Sequence, residues 1–205
     1  MSTSEHYFTA DPASPEQQRS LTVRLANREV SVRTAGGVFS PDGVDKGTAV
    51  LLREVPDPPP TGSLLDLGCG WGPIALTLAL RSPEATVYAV DVNERSLDLA
   101  RTNAAALGLE RVLASRPDGI PEDVVFDAIW SNPPIRVGKA ALHAMLLHWL
   151  PRLAPGGVAY FVVQKNLGSD SLQAWLAGQL DPQRYAVSRF ATDKGFRVLE
   201  VRRGP

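Results

Sequence analysis

One short segment constrains this chain more than any other. Leu64-Leu65-Asp66-Leu67 is an apolar run of strand character. It passes directly into Gly68-Cys69-Gly70-Trp71-Gly72 and then Pro73, which opens an apolar helical stretch to Arg81. Alternate glycines let a backbone turn tightly and approach a ligand closely. Proline at the first turn is pre-set for a helix, whose start offers unpaired amides to a bound group. The spacing is G-x-G-x-G rather than the G-x-G-x-x-G of dinucleotide binders. A second acid, Asp91, follows Gly72 by nineteen residues and ends the next strand, 86–90. A carboxylate at a strand end can accept two hydroxyl hydrogen bonds and so suits a ribose diol. Loop and acid together fit an adenosine ligand without a pyrophosphate.

The pattern around this segment predicts strands at 64–67, 86–90, 112–114, 124–131, 158–163, 185–190 and 196–201. Helices are predicted at 73–81, 94–107, 140–153 and 171–180. Such alternation argues for an α/β protein with an open, mostly parallel seven-stranded sheet and helices on both faces. The last two strands are consecutive, which favours antiparallel pairing. Upstream, 21–25 and 30–33 alternate at period two and read as a hairpin, 34–46 as a loop, and 48–55 as a short helix. Residues 1–20 read as a loose arm. Four prolines within 56–60 end the leader and mark a boundary between an extension, residues 1–60, and a main body, residues 61–205.

Composition agrees with that size. A chain of 205 residues, 44% hydrophobic and 21% charged, suits one domain with a sizeable core and excludes a disordered or disulfide-built protein. The lone Cys69 can form no internal disulfide, and no apolar run reaches the roughly 20 residues of a membrane span. The N-terminus has no secretory character. These features lead us to expect a cytoplasmic protein without a membrane partner. No His or Cys spacing suits a metal. Cys69, set between glycines, reads as a packing residue rather than a nucleophile.

The second chemical motif is Ser131-Asn132-Pro133-Pro134, after the fourth strand of the main body. Two prolines restrict the backbone, so the turn can aim the Asn132 amide oxygen and the Pro133 carbonyl at one point. Two converging acceptors hold an amino group by its hydrogens. An exocyclic amine on a base is a weak nucleophile because its lone pair is delocalised; binding both hydrogens returns and aims that pair. This is catalysis by orientation and electrostatics.

Together, Asp66-x-Gly-x-Gly-x-Gly, the strand-end Asp91 and Asn132-Pro133-Pro134 resemble class I S-adenosylmethionine-dependent methyltransferases that modify amino nitrogens. Further segments narrow the resemblance: Gly37-Val38-Phe39-Ser40, Asp45-Lys46-Gly47-Thr48, Asn132 through Lys139, and Gln164-Lys165. They are similar to the small-subunit ribosomal RNA guanine-N2 methyltransferase family in its short, single-domain subgroup. The resemblance implies a Rossmann-like class I methyltransferase fold and S-adenosylmethionine as cofactor, with S-adenosylhomocysteine as product. It implies ribosomal RNA or the small ribosomal subunit as partner and a guanine 2-amino group as target. Carried onto this chain, Asp66, Gly68, Gly70 and Gly72 would shape the pocket for the methionine part. Asp91 would hold the ribose hydroxyls with Asn93 nearby, and Asp118 would meet the adenine amine. Asn132 would border the cofactor and, with Pro133 and Pro134, hold the target amine. Ile135 stands where many relatives have an aromatic, so Phe39 in the leader is the candidate to stack on the base.

The net charge of −1 argues against binding by bulk charge, but acids and bases are segregated. No Asp or Glu lies between Asp127 and Asp170, a stretch holding Arg136, Lys139, Arg152 and Lys165. Arg136 and Lys139 follow the Asn-Pro-Pro turn directly and are the candidates for phosphate contact. Two rival functions remain in view. A protein glutamine-amide methyltransferase would use the same acceptor geometry, but relatives of that type carry Tyr after Asn-Pro-Pro. A non-catalytic cofactor- or RNA-binding module is disfavoured by the intact glycine loop, Asp91 and Asn132.

Overall fold

The leader opens with a tight hairpin. Strands β1 (Arg19–Leu25) and β2 (Arg28–Thr34) pair antiparallel from Arg19↔Thr34 to Leu25↔Arg28. Their two-residue loop, Ala26-Asn27, has φ of 47° and 63°. Two positive φ values give the turn whose twist matches that of the strands it joins. The structure is a computed structural model and describes residues 18–205, Arg136 by its backbone alone. The arm expected over 1–20 thus lies outside the described residues except at its end, where Arg19 and Ser20 already belong to β1.

After helix α1 (Lys46–Glu54) come β3 (Ser63–Leu67), α2 (Pro73–Arg81), β4 (Thr86–Val90), α3 (Glu94–Ala106) and β5 (Val112–Ser115). Then follow β6 (Phe126–Ser131), α4 (Lys139–Trp149), β7 (Leu153–Gln164), α5 (Ser169–Gln179), β8 (Tyr185–Asp193) and β9 (Phe196–Arg203). Strands β3 to β9 form one seven-stranded sheet in the order β5-β4-β3-β6-β7-β9-β8. Neighbours are parallel from β5 to β7, while β9 runs antiparallel to both β7 and β8. This is the expected α/β architecture, with the hairpin as a separate small sheet.

Alternation along the strands builds two cores. Leu64, Val87, Ala89, Trp130, Tyr160 and Val198 face α1, α2 and α3. Leu65, Val90, Ile129, Phe161, Leu199 and Val201 face α4 and α5. A third cluster joins Leu25, Val30 and Val32 of the hairpin to Trp71, Leu76 and Leu99. Trp71, inside the glycine loop, is therefore a floor for the leader; its indole N–H donates to the Ser40 carbonyl at 3.1 Å. The buried Asn103 completes this joint. It exchanges hydrogen bonds with the backbone of Arg33 and donates to the Trp71 carbonyl at 2.9 Å.

Two boundaries differ from expectation for clear reasons. The helix predicted to reach 153 stops at Trp149, because Pro151 forces a 3-10 turn over Leu150–Arg152. The strand predicted at 158–163 begins at Leu153, since Phe126↔Leu153 pairs across a register shift that absorbs Gly156 and Gly157.

Candidate active site

In this sheet β3 lies between β4 and β6, so the chain reverses its direction of travel across the sheet there. Open α/β sheets form their ligand crevice outside the carboxyl ends of the strands at such a reversal. The glycine loop leaves β3 and Asn132 leaves β6, two strands in register through Asp66↔Trp130. Ser131 Oγ donates to the Leu67 carbonyl at 2.6 Å and locks the two exits together. A cavity of about 600 Å³ fills the crevice, a volume ordinary for a small-molecule site.

One half of the cavity lies over β3, β4 and β5, where Gly68, Val90, Asp91, Val92, Ser96 and Pro117 form the wall. Asp91 is the organising group. Its Oδ2 accepts the Gly70 N–H at 2.9 Å and its Oδ1 the Asn93 N–H at 3.0 Å. The Gly68 and Cys69 amides are held by the Val90 carbonyl. Gly72, with φ of 99°, starts α2, and a Cβ there would lie 3.4 Å from Ala100. Burial pushes the Asp91 carboxyl above its ordinary range, and the Asn93, Gly70 and Val92 amides partly hold it down.

Asp66 is fully buried and does not line the cavity. Its Oδ2 accepts the Ala75 N–H at 2.8 Å, capping the first turn of α2 from below, and its Oδ1 has no partner. Burial pushes this carboxyl up to about 8; the Ala75 amide opposes the shift and the Asp91 charge adds to it. The unfolded chain releases this proton near the ordinary 3.8, whereas the folded chain keeps it to about 8. The unfolded state thus binds fewer protons across that window, and stability falls as pH rises through it. Asp66→Asn keeps the acceptor for Ala75 and removes the ionisation. Urea unfolding at about pH 5 and about pH 8 is expected to show a smaller stability loss in Asp66→Asn than in the parent. Equal losses would refute the assignment.

Asn93 is also buried. It caps α3 through the Ser96 amide and ties down the leader loop by donating to the Gly37 carbonyl at 3.0 Å. Asp118 stands in a 3-10 turn with its side chain exposed, 3.7 Å from Arg116; the wall residue at that point is its neighbour Pro117. Burial, with the Asp91 and Asp66 charges adding to it, pushes the Cys69 thiol well above the ordinary value and keeps it inert.

The other half lies over β6, β7 and β9 and is closed by the leader. Phe39, Asp45, Asn132, Pro133, Gln164 and Phe196 line it. Asn132 Nδ2 donates to Asp45 Oδ2 at 2.8 Å and to Thr48 Oγ1 at 3.1 Å. A carboxylate only accepts, so the amide nitrogen must face Asp45, and Oδ1 is the atom left for a ligand. The Pro133 carbonyl accepts the Ile135 N–H at 2.8 Å and keeps its second lone pair. Ile135 and Val137, with Ala141, Met145 and His148 of α4, form the apolar side wall.

Sequence reasoning missed Phe196, and it gave Gln164, visible as part of a motif, no place in the site. They are cross-strand partners in the β7–β9 register, so only the sheet brings them to the same wall. Asp45 and Thr48 were visible as a motif without a role. The basic stretch is thinner than it reads. Arg152 is engaged by the Val124 and Pro121 carbonyls and lies over the Phe126 and Trp149 rings. Beyond that stretch, Arg189 and Arg202 of the C-terminal strands pair with Asp170 and Glu200. Lys139 and Lys165 are exposed beside the site, and the Arg136 side chain lies outside the described residues.

No helix among the described residues is long and apolar enough to cross a membrane. Among them, no cluster of three His, Cys, Asp or Glu is placed to hold a metal. Residues 29–200 match the methyltransferase small domain family. The chain is 32% identical over 203 residues to the uncharacterized protein YbxB of Bacillus subtilis, covering 98% of this chain and 99% of that one. It is 33% identical over 201 residues to ribosomal RNA small subunit methyltransferase C of Pseudomonas aeruginosa. There the match covers 94% of this chain and only 58% of the relative. Among solved structures, the T. thermophilus 16S rRNA N2 G1207 methyltransferase (RsmC), in complex with AdoMet and guanosine, superposes with a TM-score of 0.76 at 26% identity. That likeness covers 92% of this chain and 51% of the other.

Proposed function

The chain belongs to the methyltransferase small domain family, and from that premise we propose that it methylates the 2-amino group of a guanine in small-subunit ribosomal RNA, with S-adenosylmethionine as donor. The observation that carries the reading is the Asn132 amide, turned by Asp45 and Thr48 so that Oδ1 is left for an amine. It borders the same cavity as Asp91. The P. aeruginosa relative is named for methylation of small-subunit ribosomal RNA and the T. thermophilus one for N2 methylation of G1207 in 16S rRNA, the latter solved with AdoMet and guanosine. This chain spans about half their length. On this reading residues 1–60 are an extension of a methyltransferase body at 61–205, and the enzyme works in the cytoplasm on its ribosomal substrate.

The residues present suit the cofactor. Asp91 offers a half-buried carboxylate on the cavity wall with lone pairs beyond those used by the Gly70 and Asn93 amides, which suits a ribose diol. The glycine loop admits close approach of the methionine part, and Val92 and Pro117 give an apolar slot for a purine. When bound, the sulfonium group supplies a methyl that is already activated. Asn132 Oδ1 and the Pro133 carbonyl hold the two hydrogens of the target amine and aim its lone pair. The cavity walls exclude water, and the displaced proton leaves to solvent, so no strong base is required. Phe39, Ile135 and Phe196 offer faces to the base, and Lys139 and Arg136 are assigned to backbone phosphate.

The test is transfer of labelled methyl to undermethylated small ribosomal subunits, to free ribosomal RNA and to a release-factor preparation. Label in a guanine supports the proposal. Label in a protein glutamine overturns it in favour of the amide reading, and label nowhere despite tight cofactor binding favours a binding module.

A further inference from the structure

Asn132 is gripped by the leader, from residues 84 and 87 positions away in the chain. We propose that Asp45, seconded by Thr48, is a positioning residue for methyl transfer: the N-cap of α1 selects which way round the Asn132 amide stands. The inference rests on the function proposed above and gives the leader a part in it.

A side-chain amide is nearly symmetric in shape, and its two orientations are opposite in chemistry. With Oδ1 toward the cavity, Asn132 accepts a hydrogen from an amine. Turned over, it presents N–H groups to an amine that also carries N–H groups, and the site repels its target. Asp45 decides between the two because a carboxylate can only accept. The carboxylate cannot swing to suit either orientation. The same Oδ2 that meets Asn132 also accepts the Gly47 N–H at 2.7 Å and the Thr48 N–H at 3.3 Å, as the cap of α1. A helix start thus anchors the group that anchors Asn132.

The packing around this joint supports a built arrangement. Gly47 is a poor helix residue, yet a Cβ there would lie 3.0 Å from Asp45 Oδ2, 3.1 Å from the Phe196 ring and 3.4 Å from Asn132 Nδ2. The helix takes a glycine in its first turn where Asp45, Asn132 and Phe196 close together. Asp45 also lines the cavity itself, so the joint stands at the reaction site and not behind it.

A capping role and a positioning role come apart in three variants of the full chain. Asp45→Ser keeps a good N-cap, but its oxygen sits one bond nearer the backbone and loses Asn132. Asp45→Asn keeps the accepting oxygen at full reach. Thr48→Val removes only the second acceptor. The expected result for Asp45→Ser is unchanged melting temperature and cofactor affinity, with kcat lower by about 10- to 100-fold and KM little changed, as misplacement at a reacting centre produces. Asp45→Asn restores most of the rate, and Thr48→Val gives a smaller loss than Asp45→Ser. In an Asn132→Ala background Asp45→Ser causes no further loss. A rate loss that tracks loss of stability or of cofactor binding overturns the proposal, as does an unchanged kcat. A readout independent of the acceptor separates this failure from failure of the proposed function. The Asn132 side-chain amide signal in a 15N spectrum, assigned by its absence in Asn132→Ala, is expected to shift and exchange faster in Asp45→Ser. If it stays unmoved the positioning role is wrong, whatever the substrate.

Discussion

Asn132→Ala is expected to bind S-adenosylmethionine normally and to transfer methyl to guanine about 10²–10³-fold more slowly, the usual cost of removing one preorganised polar group from a reacting centre. The fold should tolerate the change. Asn132 is only half-buried, and Asp45 Oδ2 keeps the Gly47 and Thr48 amides when Nδ2 is gone. Of the buried acceptors only Thr48 Oγ1 loses its donor, so the stability cost is about 1–3 kcal/mol. Steady-state kinetics beside calorimetric cofactor binding checks both halves. Asn132→Asp makes a sharper version. It sets a second carboxylate against Asp45, and like charges so close raise the pKa of one of them. Below that pKa the introduced carboxyl is protonated. It donates to Asp45 and leaves a carbonyl oxygen toward the amine, as Asn132 does in the parent. The Asn132→Asp rate is therefore expected to recover as pH falls, while that of Asn132→Ala does not. A full rate in either variant at neutral pH would remove Asn132 from the chemistry.

Asp91→Ala is expected to weaken S-adenosylmethionine about 100-fold, close to 3 kcal/mol. Two losses combine. The carboxylate no longer accepts from a ribose diol, and hydrogen bonds to a charged group contribute about 1.5–3 kcal/mol. The Gly70 and Asn93 amides also lose the acceptor that holds the loop in shape. Melting temperature should move less than affinity, because the variant also ends the cost of burying a carboxylate. Asp91→Asn, which keeps one accepting oxygen, is expected to fall between. Because burial raises the Asp91 carboxyl, cofactor affinity in the parent should begin to weaken above the ordinary carboxylate range as pH falls. Calorimetric titration of each variant measures the effect, and an unchanged Kd in Asp91→Ala would place the ribose elsewhere.

Much of the architecture was legible because it is written locally. Strand period, helix period and the prolines at 56–60 and 73 announce elements without reference to anything distant. The misjudged boundaries are places where local and non-local signals conflict. Pro155, Gly156 and Gly157 fall between the predicted helix and the predicted strand, yet β6 pairs with Leu153 ahead of them and draws them into β7. Charge read along the chain has the same limit, because ion pairing is not local. Arg152 counts as a free cation along the chain, yet it is engaged by the Val124 and Pro121 carbonyls that only the fold brings to it, while Lys139 and Lys165 stay exposed.

The candidate site divides on the same line. The glycine loop, Asp91 and Asn132-Pro133-Pro134 stand out in the sequence by themselves, because each is a demand on backbone conformation or side-chain type made within a few residues. Their meeting at one crevice follows from sheet order, which sets β3 between β4 and β6. The orientation of Asn132 was beyond sequence reasoning. It depends on a hydrogen bond across 87 positions, between a turn after β6 and the cap of a helix packed against β7 and β9. The chain thus determines by itself which chemical groups are present and how the backbone bends beside them. Which atom of Asn132 faces a substrate is decided only when tertiary packing brings an acceptor-only carboxylate within 2.8 Å of its nitrogen.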